Sequence, residues 1–384
     1  MRLDGYYDPA FKSIRDVFEQ NFHERGEVGA SVCLRDSRGR ILVDLWGGTH
    51  ADGQTPWRRD TASIVFSCTK AATALCAHIL IDRGDLDPDA LVTKYWPEFG
   101  ANGKANTTVR DMLAHRSGVP ALRDPVKPGG FLDFDYIAQR LAQETPFWDP
   151  GTAHGYHLVT FGWTVGELIR RVCGKSLGTF FKDEIAAPYG VDFQIGLPES
   201  EFGRMSKVIV FKPDPTEPPT AFVKAMLADP QGLQALAFRN HGGWYFDAPE
   251  SWRAEIGGAG GISNARGLAA MFGTIFGEKA LLTEDRIHAL RSPVSEGHDK
   301  TLHVPTRFGE GFMLSTDNRD LPGEGNSAIL GEGAFGHVGM GGSIGFADPE
   351  AGFSFGYSMN KMGGGILLNP RGQSLVDAAY SCFD

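Results

Sequence analysis

The sequence has no long apolar run and no block of basic residues. A transmembrane helix needs about 20 consecutive apolar residues, and no stretch of the 384 residues supplies them. The first residues, 1–7, lack the apolar core of a signal peptide. The formal net charge is −10, and no Lys/Arg cluster offers a surface for nucleic acid or an anionic membrane. We therefore expect a cytoplasmic protein with no membrane span and no nucleic-acid partner.

Cysteine is scarce, and its spacing argues against a disulfide framework. The five cysteines are odd in number and far apart, which is typical of reduced thiols: Cys33, Cys68, Cys76, Cys173 and Cys382. No His-Glu-x-x-His or paired-cysteine spacing indicates a metal site. Residues 331–336 match Gly-x-Gly-x-x-Gly but open no helix, so they do not indicate a dinucleotide site. We expect neither a metal nor a cofactor.

The most informative segment is the apolar stretch 66–84, which contains Ser67 and Lys70. Its Ala, Leu and Ile residues recur at helical spacing and end before Gly84, a pattern that predicts a buried helix. Ser67 would lie at the helix N-terminus, where free N–H groups favour a developing oxyanion. Lys70 would lie one turn later, beneath the Ser67 hydroxyl. A buried lysine can lose its charge and accept a proton, so the pair could form an activated serine nucleophile.

Ser-x-x-Lys is nevertheless a loose pattern, and the chain contains it twice. The second copy, Ser358 and Lys361, ends an alternating segment typical of a strand, where residues three apart lie on opposite faces. For the first copy, the alternative is an ordinary helix cap with Lys70 on a solvated face. Ser343 lies in a Gly-x-Ser-x-Gly match, but a strand end and turn follow it, so we interpret Ser343 as structural.

The remaining patterns predict strands at both ends of the chain and helices between them. The predicted strands are 29–35, 41–46, 308–314, 334–338, 342–347 and 352–360. The predicted helices are 8–24, the Ser67 helix, a short one within 107–118, 134–145, 158–173, 265–276 and about 370–381. This order favours an α/β (α+β) fold with one antiparallel sheet built from residues 1–62 and 257–384. A mostly helical domain, 63–256, would be inserted, with the active site at the junction and 198–252 as a lid or substrate-side region.

Three short motifs occur in order along the chain: Ser67-x-x-Lys70, then Tyr156 after Pro150-Gly151, then His337-Val338-Gly339. This set resembles the serine β-lactamase and penicillin-binding superfamily, specifically class C β-lactamases and family VIII carboxylesterases. The resemblance covers roughly residues 10–380. It implies a β-lactamase/transpeptidase-like fold, in which an antiparallel sheet flanked by helices packs on an all-helical domain and the active site lies between them.

The resemblance also implies residue roles. Ser67 would attack the acyl carbon, while Lys70 and Tyr156 would share the proton transfers. Which of the two is the primary base stays open; a Tyr156 whose pKa is lowered by Lys70 could protonate the leaving group and later activate water. The backbone N–H groups of Ser67 and Met340 would form the oxyanion hole. The triplet His337, Val338 and Gly339 would border the bound substrate.

The sequence departs from the lactamase members of this family at two motifs. They carry Tyr-x-Asn and Lys-Thr-Gly, where this chain has Tyr156-His157-Leu158 and His337-Val338-Gly339. Histidine is mostly neutral at pH 7, so the fixed cation for a substrate carboxylate is missing. We therefore expect a serine hydrolase of short-chain carboxylic esters. The alternatives are a β-lactamase, amidase or D-aminopeptidase using the same residues, or a non-catalytic acyl-binding or scaffold protein; the oligomeric state stays open.

Other histidines and aromatic residues carry weaker signals. His115, His154 and His157 are interpreted as packing residues near the site rather than as metal ligands. Trp148, Trp244 and Tyr245 are hypothetical acyl-pocket residues, with ordinary core aromatics as the alternative.

Overall fold

A nine-stranded antiparallel sheet is the largest element of the computed structural model, which describes residues 3–216, 218–321 and 327–383. The strands are β1 (Leu3–Tyr7), β2 (Gly29–Asp36), β3 (Ile41–Gly48), β4 (Ser63–Ile64), β5 (Phe193–Gln194), β6 (Ile262–Ser263), β7 (Ser295–His298), β8 (Pro305–Phe308), β9 (Met313–Leu314), β10 (Phe335–Val338), β11 (Ile344–Asp348) and β12 (Phe353–Met359). The large sheet has the order β1-β3-β2-β12-β11-β10-β9-β8-β7, and β4-β6-β5 form a small second sheet. Because β2 pairs with β12, with Val32 opposite Tyr357, the two chain ends share one sheet, and the expected α/β fold is confirmed.

Most of the helices lie between β3 and β7 in the sequence. The helices are α1 (Lys12–Glu24), α2 (Cys68–Asp82), α3 (Val109–Leu113), α4 (Phe134–Gln143), α5 (Phe161–Cys173), α6 (Leu177–Phe181), α7 (Ala187–Tyr189), α8 (Ala221–Ala228), α9 (Leu233–Arg239), α10 (Pro249–Arg253), α11 (Ala265–Gly273), α12 (Glu284–Leu290) and α13 (Pro370–Tyr380). Helices α1, α11 and α13 pack on the large sheet. The apolar faces of α1 and α13 share one core cluster with the sheet. Helix α2 is buried on every side from Cys68 to Leu80, as expected for a helix that is apolar all round.

The structure corrects several sequence-based boundaries. The sequence does not predict strands β1 and β7, because Leu3–Tyr7 lacks an apolar alternation and Ser295–His298 has no large apolar side chain. The single strand predicted over 308–314 is wrong: a turn at residues 309–311 separates β8 from β9. That turn buries the Glu310 carboxylate against two guanidinium groups, those of Arg110 and Arg286. Polar residues thus terminate elements that apolar periodicity alone would extend.

Candidate active site

Ser67 lies between β4 and α2, in a segment whose backbone is held on both sides. Val65 N–H donates to the Gly261 carbonyl at 2.9 Å, and Gly261 N–H donates to Thr69 Oγ1 at 2.7 Å. Phe66 adopts φ 44°, the left-handed region that a bulky residue rarely enters and that costs on the order of 1–3 kcal/mol. This sharp turn places Ser67 as the N-cap of α2. Ser67 is half-buried, whereas the residues on either side of it are buried, so its side chain is open to a substrate.

Lys70 lies directly beneath Ser67 and is fully buried, at 0% exposure. Its Nζ is 2.9 Å from Ser67 Oγ, 2.6 Å from the Leu158 carbonyl oxygen and 2.7 Å from the Gly258 carbonyl oxygen. Burial lowers the pKa of Lys70 well below its usual value. A neutral amine has two N–H donors and one lone pair. In its neutral form the amine can donate these two hydrogens to the two carbonyls and keep its lone pair for the Ser67 hydroxyl.

Tyr156 completes the group of three side chains that the sequence motifs predict. Lys70 Nζ is 4.7 Å from the centre of the Tyr156 ring, and Tyr156 is buried at 1% exposure. Its hydroxyl makes no hydrogen bond of normal geometry with any described residue. Burial raises the pKa of Tyr156, and contact with Ser67 opposes this rise without cancelling it. The expected lowering of this pKa by Lys70 is therefore not found, because the burial of the phenol itself has the largest effect.

Asp299 fixes the backbone of Tyr156. The Tyr156 N–H donates to both carboxylate oxygens of Asp299, each at 3.0 Å. The same buried carboxylate accepts from Thr301 N–H and Leu302 N–H, both at 2.8 Å, and from Thr306 Oγ1 at 3.1 Å. Sequence reasoning missed this residue, since Asp299 lies in a polar turn 143 positions from Tyr156 without a motif.

The histidines near Tyr156 are neutral packing residues. His157 Nδ1 is 2.8 Å from the Gly155 carbonyl oxygen and its Nε2 is 2.9 Å from Ser117 Oγ, so both ring nitrogens are satisfied away from Ser67. The ring of His115 packs at 5.0 Å from that of Tyr156. His154 Nε2 is 3.0 Å from Thr306 Oγ1. Burial lowers the pKa of all three, which fits the interpretation drawn from the sequence.

The end of β10 brings the third motif against the Ser67 turn. Cys68 Sγ donates to the His337 carbonyl at 3.2 Å, and Ser343 Oγ donates to the Val65 carbonyl at 3.2 Å. Only glycine fits at Gly339, because a Cβ there would lie 2.3 Å from the Val65 carbonyl oxygen. Ser343 thus has a contact that holds the β10–β11 hairpin against the Ser67 turn.

His337 and Met340 border this hairpin in different ways. His337 is buried at 1% exposure, and burial lowers its pKa to about 3. Its Nδ1 lies 2.9 Å from the Val338 carbonyl oxygen, which fixes the hydrogen on Nδ1 and leaves a lone pair on Nε2. Met340 follows β10 and is half-buried, and its N–H donates no hydrogen bond to a described residue.

The acceptors of Lys70 are backbone groups that side-chain motifs could not reveal. The Gly258 carbonyl belongs to the glycine-rich run 257–261, and a Cβ on Gly258 would lie 2.2 Å from the Val159 carbonyl oxygen. In the sequence, the run of glycines is the signal that could have indicated this contact, because glycines allow two backbone segments to approach closely. This approach brings the carbonyls of Leu158 and Gly258 together around the amine.

The described residues, 3–216, 218–321 and 327–383, contain no helix that is long and apolar enough to cross a bilayer. They also contain no group of three or more His, Cys, Asp or Glu side chains placed to hold a metal ion.

Comparison with known proteins identifies the family. The sequence matches the Beta-lactamase family over residues 14–375. It is 34% identical over 382 residues to esterase/beta-lactamase LipL of Mycobacterium tuberculosis, covering 94% of this chain and 83% of that protein. A crystal structure of a family VIII carboxylesterase shares 36% identity with a TM-score of 0.84, and a penicillin-binding protein homologue from Caulobacter crescentus shares 34% with a TM-score of 0.88; each comparison covers 100% of both chains. The resemblance inferred from the three motifs is confirmed, and this chain belongs to the Beta-lactamase family.

Proposed function

We propose that the protein is a serine carboxylesterase that cleaves short-chain esters through an acyl-enzyme on Ser67. The observation that carries this proposal is the position of the Lys70 amine, buried and 2.9 Å from the half-buried Ser67 hydroxyl. An amine that has lost its charge is a general base, and a serine beside a base is the usual form of an activated nucleophile. The names of the similar proteins, esterase and carboxylesterase, support the same reaction class.

In acylation, Lys70 takes the proton of Ser67 Oγ while that oxygen bonds to the ester carbon. The carbonyl electron pair moves to oxygen, and the resulting oxyanion accepts hydrogen bonds from Ser67 N–H and Met340 N–H. As the intermediate collapses, Tyr156 gives its hydroxyl proton to the leaving alkoxide and receives the proton held by Lys70. Because burial raises its pKa, the Tyr156 phenol keeps its proton at neutral pH and has it available for the leaving alkoxide. In deacylation a water replaces the alcohol and the proton transfers run in reverse.

The preference for neutral esters rests on the two substituted motifs. A charged His337 would attract a substrate carboxylate, but with a pKa of about 3 this residue carries no charge at neutral pH. Leu158 occupies the position of the family's amide, and its apolar side chain offers no hydrogen bond to a peptide-like substrate. His157, between Tyr156 and Leu158, has its ring nitrogens near Ser117 Oγ and the Gly155 carbonyl oxygen. A β-lactamase activity is the second candidate, because the names of two similar proteins include beta-lactamase and penicillin-binding protein.

The test compares turnover of p-nitrophenyl acetate and butyrate by the wild type and Ser67→Ala. We expect the variant to lose both activities, and intact mass spectrometry to detect an acyl adduct on the wild type only. Turnover that survives in Ser67→Ala would refute the proposal. A chromogenic cephalosporin run in parallel decides between the two candidates, since faster turnover of the cephalosporin than of the esters would favour the lactamase. Failure of a fluorophosphonate to label wild-type Ser67 would favour a non-catalytic protein.

We also propose that the protein works in the cytoplasm, supported by its unpaired thiols. All five cysteines are free. Burial raises the pKa of Cys33 and of Cys68 to about 12, so neither thiol ionises readily at neutral pH. Cell fractionation with an antibody against the chain tests this location.

A further inference from the structure

A cleft of about 340 Å³ is lined by none of the three side chains of the proposed mechanism, Ser67, Lys70 and Tyr156. Its lining comes from three separate parts of the chain: the segment just before Pro150, the start of α9 and the turn between β7 and β8. A volume of this size accommodates a small organic molecule. The cleft is therefore a candidate for a second binding site.

Part of the lining carries nitrogen groups and no carboxylate. The exposed residues His298, Lys300 and His303 line the cleft, and its lining includes no Asp or Glu. The ammonium group of Lys300 has no hydrogen bond or ion pair with any residue in the described ranges 3–216, 218–321 and 327–383. The rings of His298 and His303 lie 5.7 Å apart. This part of the cleft thus presents a positive charge that no carboxylate of the lining offsets.

The carboxylate closest to Lys300 in the sequence faces the protein interior. Asp299 precedes Lys300 and is buried. Its carboxylate oxygens accept from three backbone N–H groups, those of Tyr156, Thr301 and Leu302. The turn between β7 and β8 therefore separates its charges: the carboxylate holds the Tyr156 backbone inside the protein, and the ammonium group is on the exposed side.

His303 is fixed by the same turn and by α9. Its φ of 60° lies in the left-handed region, which residues other than glycine rarely enter and which is common at functional sites. Its N–H donates to the Asp299 carbonyl at 2.9 Å, and its Nε2 lies 2.8 Å from Nε2 of the buried Gln234. An amide nitrogen only donates, so His303 Nε2 accepts and the ring hydrogen lies on Nδ1. Burial lowers the pKa of His303, so this ring offers an N–H donor without a charge.

The rest of the lining is apolar. Trp148 is buried, and the half-buried Phe147 and Leu233 lie beside it in the cleft. A Cβ on Gly155, the residue before Tyr156, would lie 2.7 Å from the Trp148 ring, so that ring is packed tightly against the backbone. This apolar surface does not need to move to receive a ligand.

We propose that the cleft is a binding site for a small organic carboxylate with an apolar body, for which 3-phenylpropionate is a probe. The carboxylate would pair with the Lys300 ammonium group and accept from a histidine N–H, while the apolar body would lie against Leu233 and Phe147. A neutral ligand would leave Lys300 without an anion, and acetate would leave the apolar lining in water. One lysine beside a neutral histidine suits a singly charged anion. The occupant would contact the turn whose Asp299 holds Tyr156.

The test measures dissociation constants by isothermal titration calorimetry for 3-phenylpropionate, 3-phenylpropan-1-ol and acetate. We expect the wild type to bind 3-phenylpropionate at least about tenfold more tightly than either of the other two. Lys300→Met should weaken its binding about fivefold and Leu233→Ala about threefold. Lys224→Met is the matched control, because Lys224 is also an exposed lysine but lies on α8 and does not line the cleft. Circular dichroism checks that each variant is folded.

Nuclear magnetic resonance locates the ligand. The ring Cε1–H signals of His298 and His303, assigned through His298→Gln and His303→Gln, should shift as 3-phenylpropionate is added. Signals that stay in place would overturn the inference, and so would equal affinity for the acid and the alcohol. Equal weakening in Lys300→Met and Lys224→Met would also overturn it, since the charge effect would then be non-specific. None of these measurements uses turnover, so a failure here leaves the proposed function standing, and loss of that function leaves this site standing.

Discussion

The chain contains two Ser-x-x-Lys segments, and the structure gives them opposite properties. Ser67 and Lys70 lie one turn apart on α2, with the amine 2.9 Å from the hydroxyl. Ser358 lies within β12 and pairs with Ser31 through their hydroxyls at 3.0 Å, whereas Lys361 lies past the strand end and donates to the Gly26 carbonyl at 2.8 Å. The same four-residue pattern thus gives a hydrogen-bonded serine–lysine pair, the proposed catalytic pair, in one place and two unrelated structural contacts in the other.

Secondary structure and burial cause the difference. Helical spacing puts residues three apart on one face, and strand spacing puts them on opposite faces. Lys70 is fully buried, and burial lowers its pKa, whereas Lys361 is partly exposed. The proposed role of Ser67 as nucleophile therefore depends on a lysine that is both adjacent and desolvated.

The largest expected effect comes from removing the two serine hydroxyls in turn. Ser67→Ala should lower kcat for p-nitrophenyl butyrate by about a thousandfold or more, because no other hydroxyl can form the acyl-enzyme. Ser358→Ala should leave kcat within about twofold and reduce the free energy of unfolding by about 1 kcal/mol, through loss of the hydrogen bond to Ser31. Steady-state kinetics and urea unfolding measure the two quantities. An equal loss of kcat in both variants would contradict the conclusion that only the first Ser-x-x-Lys segment takes part in the reaction.

Removing the lysines should give the next largest contrast. Lys70→Met keeps the length of the side chain but removes the base, so kcat should fall by about a hundredfold or more. Lys361→Met should leave kcat unchanged, since its amine donates to the Gly26 carbonyl and not to Ser67. Circular dichroism of both variants checks that the fold persists. A folded Lys70→Met variant with near wild-type kcat would indicate that Tyr156, and not Lys70, is the general base.

The pH profile of kcat/KM sharpens the same point. Burial lowers the pKa of Lys70, so the active neutral amine should predominate above that lowered value, and kcat/KM should fall about tenfold per pH unit below it. His337 cannot cause a limb near neutrality, because its pKa is about 3. Since burial raises the pKa of Tyr156, no loss of activity from phenol ionisation is expected at moderately alkaline pH. A rate that falls on the alkaline side with a pKa lower than that of free tyrosine would show a phenolate-forming Tyr156 instead.

Much of this arrangement could be predicted from the sequence, and the rest could not for physical reasons. Ser67, Lys70 and Tyr156 belong to motifs with strong chemical requirements, and β2, β3 and β12 have clear apolar patterns. Asp299 and the Gly258 carbonyl act through the backbone, so neither demands a side-chain motif. The neutral state of Tyr156 depends on how completely its own ring is buried, which is a property of the packed structure.

Asp299 positions Tyr156 beside Ser67, and we expect substitution of Asp299 to have a moderate effect on kcat. Asp299→Ala frees the Tyr156 backbone, so kcat should fall about tenfold with little change in KM, because a misplaced phenol delivers its proton poorly. Asp299→Asn keeps one acceptor oxygen and should recover most of the loss. Asp348→Ala is the matched control: it also removes a buried carboxylate, one that accepts from the Tyr380 hydroxyl at 2.8 Å, but far from Ser67 in sequence and on β11. If both alanine variants lower kcat equally, Asp299 contributes only to stability.

The smallest effect is expected at Lys361, where Lys361→Ala removes only one donor to a carbonyl. That carbonyl, of Gly26, precedes β2 and lies where water can replace the lost amine, because Lys361 is partly exposed. The backbone carbonyl of Lys361 accepts from Arg371 at 2.6 Å, and the substitution leaves this contact in place. The free energy of unfolding should therefore fall by no more than about 1 kcal/mol, and kcat should not change. Urea unfolding with parallel ester kinetics measures both. A large loss of kcat at constant stability would mean that the second Ser-x-x-Lys segment influences the active site. That result would contradict the conclusion that Ser67 and Ser358 have unrelated roles.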